Sequence, residues 1–189
     1  MATATMTGIG IQYDISGTGP PVLFLNGLCV RGSHWSHQRR ALESRYRIIT
    51  FDRREMPADP ARAIPRMAGD AVALLDHLGI ERAHLVGLST GGLVAQEVAL
   101  RHPDRVRSLT LARSPIHGGR LGEITHPALV VAGADDRLTP PRLARALTRA
   151  LPNARFQRLP GGPGFIGEHG DCFNETLLGF LSWTGAFSA

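Results

Sequence analysis

The chain has no lysine; all 21 residues counted as Lys+Arg are arginine. These arginines are scattered, and the only adjacent pairs are Arg39-Arg40 and Arg53-Arg54. Nucleic-acid binders concentrate their charge on one face or in one run. The formal net charge of +5 therefore suggests long-range steering of anions rather than a nucleic-acid partner. Cysteine is scarce as well. Cys29 and Cys172 match neither zinc spacing nor a CxxC pair, and both read as buried structural thiols. No His, Cys or Asp cluster has metal-ligand spacing, so neither a metal nor an organic cofactor is expected. The longest apolar runs, such as Val22–Leu25 and Ala128–Ala132, are too short to span a bilayer. Met1–Gly10 has no basic segment followed by an apolar one, which makes a cytoplasmic protein the expectation. There is no internal repeat and no low-complexity tract.

What remains is ordinary globular material. With 189 residues, 43% hydrophobic and 20% charged, residues 1–189 read as one domain able to bury a real core. Short apolar runs alternate with amphipathic segments. Strands are expected at Ile9–Ile15, Val22–Asn26, Arg47–Asp52, Ala83–Leu88, Val106–Ala112, Ala128–Ala132 and Ala154–Leu159. Helices are expected at Ser33–Ser44, Met67–Leu78, Gly91–Arg101, Pro141–Leu151 and Cys172–Trp183. Arg53–Pro65, with its three prolines, and the glycine-rich Gly161–Gly170 read as loops. Strands separated by helices make an α/β fold, a mostly parallel sheet covered on both faces. Sites in such sheets form beyond the carboxyl ends of the strands.

One motif stands at such an end. Gly87-Leu88-Ser89-Thr90-Gly91 is a G-x-S-x-G match, with an apolar strand running in and an amphipathic helix running out. That setting forces the serine into a strained turn and exposes its hydroxyl as a nucleophile. The stretch "AHLVGLSTGGLVAQEVALRHPDRVRSLTLA", Ala83–Ala112, resembles the nucleophile-elbow region of the α/β-hydrolase superfamily. The resemblance continues through "VLFLNGL", "RIITFDRR", "AVALLDHLGI", "PALVVAGADDRLTP" and "NETLLGFL", nearly the whole chain.

The resemblance implies a triad in the order Ser, acid, His. Asp136, in Gly133–Pro140, matches the acid, with Asp135 as its neighbour. The last strand of the family is commonly followed by GxGH, but Gly164 stands where that histidine would be. His169-Gly170-Asp171 resembles the variant with its histidine just before the final helix, which makes His169 the general base. His117 is the runner-up, and His34 and His37 read as surface or packing residues. The resemblance also implies an oxyanion hole from the backbone N–H groups of Thr90 and Leu28. Asn26-Gly27-Leu28 replaces the His-Gly-x of the family, and a backbone donor survives that change.

Two departures bear on function. Arg113–His126 replaces the helical lid that relatives commonly insert, which predicts a lidless, open and shallow site. Such a site suits a small-molecule or carrier-bound acyl substrate, or a second copy of the chain as its missing wall. Arg53–Asp59 replaces the Gly-x-Gly-x-Ser turn of the family, and its arginines read as a solvated pair or an anion contact. Three functions stay open. The first is a serine-type hydrolase of an ester or thioester, working through an acyl-enzyme on Ser89. The second is a cyclase, lyase or dehydratase of specialised biosynthesis on the same scaffold. The third is a binding protein with a degraded triad.

Overall fold

The computed structural model describes residues 2–6, 9–27, 31–52 and 60–185. Leu28, Cys29, Arg53 and Arg54, singled out above, lie outside them. Eight strands form one sheet: β1 (Ala2–Met6), β2 (Ile9–Ser16), β3 (Pro21–Leu25), β4 (Arg47–Phe51), β5 (Ala83–Leu88), β6 (Val106–Ala112), β7 (Ala128–Gly133) and β8 (Ala154–Leu159). Their order across the sheet is β1-β2-β4-β3-β5-β6-β7-β8. β1 and β2 are antiparallel to their neighbours, and the strands from β4 to β8 run parallel. Six α-helices accompany them: α1 (Ser36–Leu42), α2 (Pro60–His77), α3 (Thr90–Arg101), α4 (Pro141–Ala150), α5 (Phe165–Glu168) and α6 (Gly170–Gly185).

Alternation along the strands fills two cores. In β3, Leu23 and Leu25 join the layer formed with Ala71, Leu74, Leu75, Val94, Val98 and Leu147 of α2, α3 and α4. Val22 and Phe24 point the other way, into a layer with Trp35, Leu42, Phe173, Leu177 and Leu181. The period of two in the strands meets the period near four in the helices, and each residue is buried by whichever layer its Cβ faces. Each fully buried Leu or Phe stabilises the fold by about 1.5–3 kcal/mol relative to exposure. A histidine sits inside this sheet: His84 of β5 is buried, with Nδ1 2.8 Å from Ser108 Oγ. Burial, and then the nearby Arg107 charge, push its pKa down to about 4, which keeps the ring neutral at physiological pH.

The chain path creates the site. From β3 the chain moves outward to β4, then returns across β3 to place β5 on its other side. The carboxyl ends of β3 and β5 thus flank a topological switch point, where the diverging connections leave a crevice.

Three details differ from the sequence expectation. The strand β1 was absent from it. The helix α2 begins at Pro60 and runs through Pro65, where a loop was expected as far as residue 65. Ala63 is fully buried and extends the stripe of Met67, Asp70, Ala71 and Leu74 by one turn. Proline at the first helical position is favourable, and packing of that stripe outweighs the one backbone bond that Pro65 cannot make. A short helix, α5, forms inside the glycine-rich loop because Phe165 and Ile166 bury against the sheet. Among the described residues no helix is long and apolar enough to cross a membrane.

Candidate active site

Ser89 follows β5 directly, with φ 52° and ψ −116°. A side chain rarely occupies that region, and such strain persists only where the surroundings impose it. Here they do. The Ser89 N–H donates to Ala112 O at 2.9 Å, and the Gly92 N–H donates back to Ser89 O at 2.8 Å. A Cβ on Gly87 would meet the Gly91 backbone, and one on Gly91 would meet the Leu25 carbonyl. The two motif glycines therefore let the first turn of α3 pack directly on the end of β3. Thr90 is the first residue of α3; an amide at that position has no partner within the helix.

The loop after β3 is held by Asn26. Its Nδ2 donates to Phe51 O at 2.8 Å, and its Oδ1 accepts from Trp35 Nε1 at 2.7 Å. The buried amide thus ties the ends of β3 and β4 to the turn that precedes α1. This explains why asparagine serves where the family has histidine. Its side chain sets the loop's path, with both its nitrogen and its oxygen bonded in doing so.

The candidate acid–base half is wired differently. Asp136 is buried, and its carboxylate accepts four hydrogen bonds. Leu138 N and Thr139 N donate to Oδ1 at 2.8 and 2.9 Å. Thr139 Oγ1 and Arg113 Nε donate to Oδ2 at 2.8 and 3.0 Å. Burial alone would raise this carboxyl's pKa, but the Thr139 amide and hydroxyl, the Leu138 amide and the Arg113 charge together hold it below the usual carboxylate value. A carboxylate offers about four acceptor positions, and here all four are filled.

His169 is half-buried at the end of α5. Its ring lies over Gly161, so a Cβ there would sit 3.1 Å from Nε2. Gly161 O in turn accepts from the Asp135 N–H at 2.9 Å, which places the ring beside the acid loop. Among the described residues no hydrogen bond joins His169 to Asp136 or to Ser89 Oγ. The runner-up, His117, goes elsewhere: its Nε2 lies 3.0 Å from Glu97 Oε2. Glu97 is eight residues beyond Ser89 on α3, about 12 Å along a helix axis. His37 donates from Nε2 to Asp171 Oδ1 at 3.0 Å, and His34 is exposed on a 3-10 turn, edge-on to Trp35. Cys172 is free and exposed, which corrects the expected buried thiol. It sits in the first turn of α6, on the side turned away from Phe173 and the core.

Arg113 was missed in the sequence. Among the described residues it is, with Ser89, one of two non-glycine residues with positive φ, at 50°. The signal available was its position, directly after an apolar strand and opposite Ser89. The rest of the shortened connection is pinned to α3. Gln96 Nε2 donates to Ser114 Oγ at 2.8 Å and to Pro115 O at 3.0 Å, and its Oε1 accepts from His117 N at 3.0 Å. Residues 113–127 hold only one 3-10 turn, Leu121–Glu123, with no lid domain. Leu138, on the acid loop, is left 72% exposed. Among the described residues no three His, Cys, Asp or Glu side chains converge to hold a metal ion.

Comparisons with known proteins agree with this fold. The "Putative carbamate hydrolase" of Caulobacter vibrioides is 27% identical, covering 91% of this chain and 95% of that protein. The alignment extends over 259 positions against 189 residues here, so it bridges a long stretch that this chain does not have. Among solved structures, the enol-lactonase from Burkholderia xenovorans LB400 matches with a TM-score of 0.89 at 23% identity, over 96% of this chain and 100% of that one. A thermophilic esterase from Thermogutta terrifontis matches with a TM-score of 0.86 at 21% identity, over 97% and 98%. Residues 110–186 match a family model described as TAP-like protein. The alpha/beta hydrolase fold model matches residues 20–119, from before β3 through the elbow to the connection beyond β6, and the chain belongs to that family.

Proposed function

We propose that the protein is a serine hydrolase of an ester or thioester. The observation that carries this reading is the strained Ser89 on its elbow, φ 52° at the N-terminus of α3. Strain of this kind is retained where a hydroxyl must be presented. The names of the relatives point the same way, since a protein named "Putative carbamate hydrolase", an enol-lactonase and an esterase are all named for cleaving a bond at a carbonyl carbon.

In this reading Ser89 Oγ attacks the acyl carbon and its proton passes to His169. The amides of Thr90 and Leu28 hold the developing oxyanion, each contributing about 2.7–4 kcal/mol at the transition state. The bond to the leaving oxygen or sulfur breaks, and His169 returns its proton to that atom. Water then hydrolyses the acyl-enzyme by the same route. Asp136 is to orient the imidazole, so one donor must yield Oδ2. The Thr139 hydroxyl is the one that can, because it rotates freely while Arg113 holds the same oxygen through a fixed Nε.

A second reading, a repurposed or purely binding site on this scaffold, is favoured by one observation: the four donors already on Asp136. Intact mass after treatment with a fluorophosphonate separates the two. The hydrolase reading expects one adduct on the wild type and none on Ser89→Ala or His169→Ala. A folded wild type that takes no adduct sinks it and leaves the second reading.

A further inference from the structure

The guanidinium of Arg113 is only partly used. Its Nε bonds Asp136 Oδ2 at 3.0 Å, while Nη1 and Nη2 have no hydrogen-bond partner among the described residues. The side chain is 19% exposed, and neither nitrogen is among the fully buried polar atoms that lack a partner, so the free fork opens to solvent. The strained φ of 50° is a backbone cost of the kind that persists only where the surroundings impose it. Asp136 does not need the arginine for its own solvation, because Leu138 and Thr139 already supply three donors to it.

Position gives the arginine its meaning. Leu88 and Ala112 are paired across β5 and β6, so Ser89 and Arg113 are the next residues on neighbouring strands. Parallel strands lie about 4.8 Å apart, which roots the Arg113 backbone one strand away from the nucleophile. Asp136, one strand further, fixes the guanidinium through Nε and leaves the two-nitrogen fork open. A fork of this geometry matches a carboxylate bidentately.

We infer that Arg113 is the anion-binding residue of this site, and that the substrates are esters or thioesters carrying a carboxylate a few bonds from the acyl carbon. This rests on the serine reading above for the chemistry but not for the binding. Asp136 then acts as the positioning residue for Arg113 as well as the acid. The N-terminus of α3, with its partial positive charge beyond Ser89, favours the same substrates.

Calorimetric titration of the Ser89→Ala protein tests the binding without any turnover. The probes are monomethyl glutarate, an anionic ester, and dimethyl glutarate, its neutral counterpart. The expected result is a preference of about tenfold or more for the anionic probe, as one charge-assisted bidentate contact provides. Adding Arg113→Gln should bring that ratio close to one. Arg113→Lys keeps a charge facing Asp136 and is the variant least at risk of misfolding; it should lower the ratio because the fork is gone. Equal binding of the two probes overturns the proposal, as does a preference that Arg113→Lys leaves unchanged. Fluorophosphonate labelling stays an independent readout. An adduct without anion preference leaves a hydrolase with no Arg113 site, and anion preference without an adduct leaves the site with no acyl chemistry.

Discussion

The elbow and the acid loop lie two strands apart at the same edge of the sheet, and they are built on opposite principles. Around Ser89 the backbone does everything: two glycines permit contact between α3 and β3, and amide-to-carbonyl bonds lock the turn. Around Asp136 side chains do half of it: an arginine and a threonine hydroxyl donate to one oxygen, and the Leu138 and Thr139 amides donate to the other. A backbone device tolerates no change of shape but is indifferent to charge. A side-chain device tolerates changes of shape but depends on every charge and donor it contains.

The largest effect that contrast predicts comes from adding one methyl group to each region. In Gly91→Ala the new Cβ collides with the Leu25 and Asn26 carbonyls, and neither strand end can retreat. The expected loss is at least about 3 kcal/mol, enough to prevent soluble expression of a marginal fold. In Gly162→Ala, on the loop beside Asp135, the nearest atom to the new Cβ is Asp135 O at 3.8 Å. That variant should stay within about 0.5 kcal/mol of wild type. Urea midpoints of the two measure the difference directly, and similar midpoints would mean the elbow is softer than its packing implies.

The second effect reverses the ranking, because it changes charge and leaves shape alone. Asp136→Asn keeps the volume but leaves Arg113 without its counter-ion in a largely buried setting. Removing one partner of a buried pair costs about 3 kcal/mol or more. Arg113→Met in the same chain should recover part of that loss, and a double-mutant cycle on unfolding free energies reads the coupling. Coupling near zero would reduce the contact to a loose surface pair. The carboxylate also has a signature in pH. Its folded pKa is held below the unfolded value, so its contribution is complete above the usual carboxylate range and disappears as pH falls through the folded pKa. Asp136→Asn should flatten that acid limb.

The same division separates what was legible in the sequence from what was not. The elbow was readable because glycine at Gly87 and Gly91 and an apolar strand before them are local, and local sterics determine the turn. The sheet from β2 onward and both helical layers followed from periodicity, and the missing lid followed from the shortness of 113–126 set against the family resemblance. Asp136 could be placed on its loop by motif. Its occupancy could not, since Arg113 is 23 residues away in sequence and meets it only through strand adjacency. The helical stretch from Pro60 to Pro65 was hidden because proline reads as a stop, while burial of Ala63 is a tertiary fact. Asn26 read only as a replacement for the histidine of the family's oxyanion loop; its role depends on Trp35 and Phe51, both brought to it by folding.

The smallest effect tests whether strain is stored equally at the two positive-φ residues. Ser89 and Arg113 have φ values of 52° and 50°, and glycine adopts both without a steric penalty. Relief of such strain is worth about 1–3 kcal/mol, against about 0.5–1 kcal/mol for the extra freedom glycine gives the unfolded chain. Ser89→Gly removes no side-chain hydrogen bond among the described residues, so the balance is a net gain of up to about 2.5 kcal/mol, seen as a rise of up to several degrees in Tm. Arg113→Gly relieves similar strain but discards the contact with Asp136, so its Tm should fall. A protein in which both variants melt lower than wild type would show that the elbow holds Ser89 without stored strain. The presentation of its hydroxyl would then depend on the turn's hydrogen bonds alone.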